Sequence, residues 1–125
     1  MSDAKGTLDE FRAARERMNA KILEADHLGI KRFFGLDSAA YRDGALDGRT
    51  KGLLGLAASM VLRCNDCIDY HVIQCVEEGW SDAELHDAMN VALVVGGSIV
   101  IPHLRHAFAT LEVLREEAAA RSVGE

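Results

Sequence analysis

Proline occurs once in 125 residues, and no segment alternates apolar and polar residues as a half-buried strand would. A sheet-built fold therefore finds no support. Basic residues are also scarce: 14 Lys and Arg stand against 20 Asp and Glu, a net charge of −6, which gives no electrostatic footprint for nucleic acid or an anionic membrane. The longest apolar run, 88–101, is broken by Asn90 and Ser98 and falls short of the roughly 20 residues a spanning helix needs. It reads as a buried segment or a subunit interface. The opening MSDAKGTLDEF lacks a charged n-region followed by an apolar h-region, so no signal peptide is expected and the cytoplasm is the expected compartment. Repeats, low-complexity tracts and linkers are missing too, and the length suits a single domain, 1–125.

What remains is helical. Abundant Ala, Leu, Glu and Arg favour helices throughout. Leu8, Phe11, Met18 and Ile22 predict an amphipathic first helix of about four turns that ends before Gly29. Asp37 or Ser38 is the expected cap of a short helix through Tyr41. Asp47 is the expected cap of a helix to about Arg63 whose middle, Leu53 to Leu62, is apolar nearly all round and so belongs inside the fold. Gly79 is a natural stop for the helix that follows. Ser81 with Glu84 reads as a capping box opening a helix to Gly96-Gly97. Ser98 is the expected cap of the last helix, with Pro102 in its early turns and Leu104, Phe108, Leu111 and Leu114 as its buried stripe. The expected architecture is a compact all-α bundle of five or six helices.

The chemistry concentrates in Cys64-Asn65-Asp66-Cys67-Ile68-Asp69-Tyr70-His71. Cys64 and Cys67 have the C-x-x-C spacing that closes a disulfide reversibly, and Cys67 and His71 stand at i and i+4 on one helical face. An imidazole there can hold a thiolate or move its proton. Asn65 is read as the cap of this helix, which would place Cys67 in a first turn whose amides and dipole favour negative charge. Asp66 and Asp69 act in the opposite sense on the thiols. Two other readings stand beside the redox one: small buried hydrophobes three residues apart, and a zinc site. Cys75 extends the pattern to C-x2-C-x3-H-x3-C, but four ligands spread over some 16 Å of one helix, at about 1.5 Å per residue, converge poorly on a tetrahedral ion. Cys75 is expected to be a packed core thiol.

His103 and His106 could approach the thiols from the last helix, the plainer expectation being a half-buried or solvated pair. His86 is expected at the surface and Trp80 as a packing anchor. Gly52, Gly55 and Ser59 form a small-residue face that suits close helix approach.

Leu46-Asp47-Gly48-Arg49-Thr50-Lys51, the apolar helix after it, Cys64-x-x-Cys67-x-x-x-His71, the Glu78-Gly79 stop, Ser81-Asp82-Ala83-Glu84 and Gly96-Gly97 occur in one order. Together they resemble the alkylhydroperoxidase D and carboxymuconolactone decarboxylase family over about residues 46–112. The resemblance implies an all-helical fold packed into homotrimers or homohexamers. For the peroxidase branch it implies that Cys67 attacks a hydroperoxide, Cys64 resolves the sulfenic acid as a disulfide and His71 serves the proton relay. A dithiol, lipoyl-type or thioredoxin-like reductant would complete the cycle, with no organic cofactor and no metal. True decarboxylases of the family lack the cysteine pair, which disfavours that branch. One departure stands out: the relay glutamate of the peroxidase pattern falls on Gly52 here.

Two functions from different classes follow. One is a thiol-dependent peroxidase or disulfide oxidoreductase. The other is a non-catalytic oligomeric redox-sensing or binding protein that kept the cysteines and lost the relay carboxylate, and a metal-binding module is a third reading. Gly52→Glu is expected to bring a carboxylate near the thiols.

Overall fold

The computed structural model describes residues 2–124, and the side chains of residues 6–122; Met1 and Glu125, the ends of the expected domain, lie outside the described residues. Six α-helices follow one another: α1 (Ser2–Glu24), α2 (Leu28–Ala40), α3 (Gly48–Val61), α4 (Asn65–Glu77), α5 (Asp82–Gly96) and, after a 3₁₀ turn at Ser98–Val100, α6 (Ile101–Gly124). The described residues contain no strand. No helix among them is long and apolar enough to cross a membrane.

Side chains that accept the first orphan amides set most of the helix starts. Asp47 accepts the Thr50 amide at 2.7 Å and opens α3 as expected. At α5, Ser81 Oγ accepts from the Glu84 amide at 3.1 Å while the Glu84 carboxylate accepts from the Ser81 amide at 2.9 Å, the anticipated capping box. Gly79, at φ 87°, ends α4 with two closing bonds, Gly79 N to Val76 O and Trp80 N to Cys75 O, both 3.1 Å. Two expected caps are corrected. α2 begins well before Asp37 and Ser38, under His27, whose Nδ1 accepts the Ile30 amide at 3.3 Å; an imidazole is not a usual cap and gave no signal. Ser98 opens only the 3₁₀ turn, so Pro102 falls in the first turn of α6, where its missing N–H has no intrahelical partner to lose.

Leu56 and Met60 of α3, Ile68, Val72 and Cys75 of α4, Leu85 and Met89 of α5, and Ala107, Leu111 and Val113 of α6 form the buried core. α3 packs against both α4 and α5, and α4 also packs against α6. α1 lies on α6 through buried Leu8 and a bidentate ion pair from Arg12 to Glu117 at 3.0 and 3.1 Å. Burial is narrower than the sequence pattern implied. Leu54 on α3, Leu62 just after its end, Met18 and Ile22 on α1 and Phe108 on α6 are exposed, so α3 is inside the fold on one face only. Phe108 instead stacks on exposed His86, ring centroids 4.7 Å apart. α2 has no buried residue.

A polar cluster fastens α4 to α6. Asp69, only 6% exposed, accepts from Thr110 Oγ1 at 2.6 Å and from His106 Nε2 at 2.9 Å. That hydrogen bond raises the His106 pKa above its ordinary 6.5, burial opposing and the charges of Asp69 and Asp66 assisting. His103 Nδ1 lies 2.8 Å from Asn65 Oδ1. Both histidines are half-buried, and they serve α4 rather than the thiols. Because the folded pKa of His106 is raised, its extra stabilisation is complete below the unfolded value and is lost as pH rises through the folded one. The stability lost on His106→Gln, measured by urea unfolding, is therefore expected to be larger at pH 5.5 than at pH 8.5; equal losses at both would contradict the assignment.

Candidate functional site: a dithiol and an imidazole at the start of α4

The dithiol sits where α3 hands the chain to α4. Leu62 is the C-cap of α3, Arg63 takes the left-handed φ of 60°, and two bonds close the turn: Arg63 N to Met60 O at 3.0 Å and Cys64 N to Ser59 O at 3.1 Å. Glycine is the usual residue at that position, so an arginine there keeps a backbone conformation that costs about 1–2 kcal/mol. Cys64 is then the N-cap of α4, and its Sγ accepts the Cys67 amide at 3.3 Å. This corrects the reading of Asn65 as cap, since Asn65 is the first helical residue. It also redirects the electrostatics. One of the first-turn amides expected to favour charge on Cys67, its own, points at Cys64 instead.

Cys64 and Cys67 are paired as a disulfide, their Cα atoms 5.3 Å apart. Cys67 is exposed and Cys64 half-buried. Cys75 is fully buried in the core, as expected, and burial pushes its thiol pKa up to about 12, with Glu78 adding to the effect and Arg49 opposing it. Among the described residues, no group of three or more His, Cys, Asp and Glu side chains could hold a metal ion.

His71 lies one turn beyond Cys67, 8% exposed. Its ring rests on the bare backbone of Gly55 in α3: a Cβ at Gly55 would stand 2.5 Å from His71 Cε1 and 2.9 Å from both ring nitrogens. Tyr70 meets the ring edge-on at 5.1 Å between centroids, and Tyr41, the C-cap of α2, approaches from the other element with its hydroxyl 3.4 Å from Nε2. Burial lowers the His71 pKa below 6.5, and the nearby Asp37 carboxylate opposes the shift without cancelling it. The imidazole is therefore neutral at pH 7 and able to accept a proton. Burial also raises the Tyr41 pKa, helped by Asp37 and Tyr70, so its phenol stays protonated.

A cavity of about 730 Å³ opens over these groups, lined by Phe11, Ala14, Arg15 and Met18 of α1, Asp37 and Tyr41, and Asp66, Cys67, Tyr70 and His71 of α4. The Arg15 guanidinium lies 4.4 Å from the Tyr70 ring centroid. A larger groove, about 900 Å³, runs between α5 and α6 past His86 and Phe108 but holds no thiol. The sequence motif thus brings together Cys64, Cys67 and His71, and the fold adds Asp37, Tyr41, Arg15 and Tyr70. The i, i+4 spacing of Asp37 and Tyr41 was the available signal. Asp69, by contrast, faces α6.

Position 52 gains a neighbour that the spacing did not reveal. A Cβ there would lie 3.5 Å from Glu78 Oε2, at the C-terminal end of α4, whereas the thiols lie at its N-terminal end. A glutamate at 52 would therefore start beside a second carboxylate, one turn before the Gly55 backbone on which the His71 ring rests. Trp80 is the anchor expected of it, donating Nε1–H to Arg49 O at 3.2 Å with the Arg49 guanidinium 3.5 Å over its ring.

The model of the carboxymuconolactone decarboxylase family matches residues 30–112. The chain belongs to this family. A Thermotoga maritima protein, TM1620, for which a part in the antioxidative response has been suggested, superposes with a TM-score of 0.85 at 57% identity, covering 89% of this chain and 94% of that one. The family member lpg0406 from Legionella pneumophila, in its apo form, gives a TM-score of 0.75 at 28% identity over 88% of this chain and 96% of its own. In sequence, uncharacterized protein 4 of the cox locus of Paracoccus denitrificans is 34% identical over 80 residues, which are 64% of this chain and 72% of the relative.

Two measurements test this geometry. After reduction, alkylation mapped by mass spectrometry at pH 7 should label Cys67 well ahead of Cys75, whose thiol is buried and protonated; faster labelling of Cys75 would reverse the assignment. Gly55→Ala drives a methyl group into the His71 ring and should cost about 1–3 kcal/mol in chemical denaturation, while Gly52→Ala meets ordinary van der Waals contact and should be far milder.

Proposed function

We propose that this family member is a thiol-dependent peroxidase that reduces hydroperoxides through Cys67 and Cys64. The observation that carries the reading is the disulfide-forming pair whose exposed member, Cys67, shares one cavity with a buried neutral imidazole. In the reduced protein Cys67 gives its proton to His71, and the thiolate attacks the terminal peroxide oxygen. An S–O bond forms as the O–O bond breaks, and the departing alkoxide takes the proton back from His71, leaving an alcohol and a sulfenic acid. The Cys64 thiol then attacks that sulfur; an S–S bond forms and water leaves. A dithiol of lipoyl or thioredoxin type restores both thiols by exchange. The paired thiols of the structure correspond to the oxidised stage of this cycle.

A cytoplasmic homotrimer or homohexamer goes with this reading. Val91, Val94 and Val95 toward the end of α5 and Ile99 in the 3₁₀ turn are exposed apolar side chains, and Leu62, the C-cap of α3, is 76% exposed. A second copy would cover such surface. Light scattering should give a particle of three or six times 13.6 kDa, and a particle of 13.6 kDa alone would remove the oligomer from the proposal.

The competing reading is a redox sensor that oxidises once. It is favoured by Gly52, which leaves position 52 of α3 without a carboxylate. Peroxide consumption with a dithiol in excess separates the two. An enzyme should consume many equivalents per chain, Cys67→Ser should abolish turnover, and His71→Ala should lower it by about 10²–10⁴-fold. Consumption that stops at one equivalent would establish the sensor.

A further inference from the structure

The motif supplies two thiols and an imidazole, and a buried neutral imidazole that must receive a proton needs something to orient it and to offset the charge it gains. α3 offers the ring only the Gly55 backbone, and α4 surrounds it with Cys67 and Tyr70, while its one carboxylate in the cavity, Asp66, is not among the charges that shift the His71 pKa. α2 provides both. Tyr41 brings a hydroxyl to 3.4 Å from Nε2, and Asp37, one turn earlier on the same helical face, lines the same cavity as Cys67 and His71. Hydrogen bonds of catalytic groups are often long before substrate binds, so 3.4 Å suits a contact that tightens later.

We propose that Asp37 and Tyr41 of α2 are the positioning residues of the thiol site: Tyr41 selects the ring tautomer of His71 through Nε2, and Asp37 stabilises the imidazolium formed when His71 accepts the Cys67 proton. This assignment rests on the peroxidase reading for its catalytic meaning but not for its geometry. The proton moves from Cys67 Sγ to His71 and later to the leaving alkoxide, so neither Asp37 nor Tyr41 is consumed or oxidised. Asp37 already opposes the burial that lowers the His71 pKa, in the sense the proposal requires. The other charged groups of the cavity are Glu10 and Arg15 on α1 and Asp66 on α4, with Tyr70 and Cys67 as further titratable neighbours. Asp37 is exposed and α2 has no buried residue, so substitutions here should leave the core intact. Exposure also makes its influence sensitive to salt.

The test follows the His71 ring by NMR in the reduced protein, across pH, for wild type, Asp37→Asn, Asp37→Glu and Tyr41→Phe, alongside peroxide consumption with a dithiol. The His71 titration should move to lower pH in Asp37→Asn, return toward wild type in Asp37→Glu, and differ less between wild type and Asp37→Asn at 1 M salt than at low salt. Tyr41→Phe should change the ring nitrogen shifts that report the tautomer. Turnover at pH 7 should fall about tenfold in Asp37→Asn. A titration that superimposes on wild type in folded Asp37→Asn overturns the part given to Asp37, and unchanged nitrogen shifts in Tyr41→Phe overturn that of Tyr41. If the titrations move as expected while even wild type fails to turn over peroxide, the positioning assignment stands and the peroxidase reading falls.

Discussion

The contact between the His71 ring and the Gly55 backbone governs how this site is built. The His71 ring lies so close to the backbone of α3 that position 55 has no room for a Cβ, and glycine leaves that space open. The close approach of α3 and α4 that results removes His71 from water, which is the main reason the ring stays neutral. It also brings the end of α3 and the start of α4 close enough for a three-residue turn, and that turn places Cys64 as the helix cap. Burial of the base and placement of the thiols are consequences of one packing choice.

α4 divides its polar residues between two faces of unlike character. Toward α6, Asp69 draws His106 toward the charged state and binds Thr110. Toward α2 and α3, desolvation holds His71 in the neutral state. Two histidines in contact with the same helix are thus driven in opposite directions by their surroundings, one by a carboxylate in hydrogen-bond contact and one by exclusion of water. The first ties the helix in place and the second is left free to accept a proton, so the mechanical and chemical tasks do not compete for one group.

The helical class, the capping of α3 and α5, the Gly79 stop and the identity of the dithiol–imidazole group were all legible in the sequence, because each depends on residues a few positions apart. What was not legible depends on contacts between segments. Asp37 read as a cap because Asp favours caps, while the true cap of α2, His27, belongs to a residue type with no such preference. Asn65 likewise outranked Cys64 on preference, although a sulfur can accept the same amide. The apolar girth of α3 read as full burial, but only one face meets α4 and α5, and Leu54 and Leu62 remain outside. Position 52 shows the limit most plainly: spacing from Cys64 pointed only to the thiols, and the approach of Glu78 from the end of α4 depends on how the two helices pack.

Cys64 belongs at once to the disulfide and to the scaffold, since the sulfur that closes the S–S bond also receives the amide that starts α4. A reduced sulfur and a disulfide sulfur differ as acceptors, so opening the S–S bond would alter how firmly the first turn of the helix is held. The Cys67 amide proton is then a built-in gauge of the sulfur chemistry, because its exchange with solvent reports how well that sulfur accepts it. In this fold the electron count of one side chain is written into the fraying of a helix end.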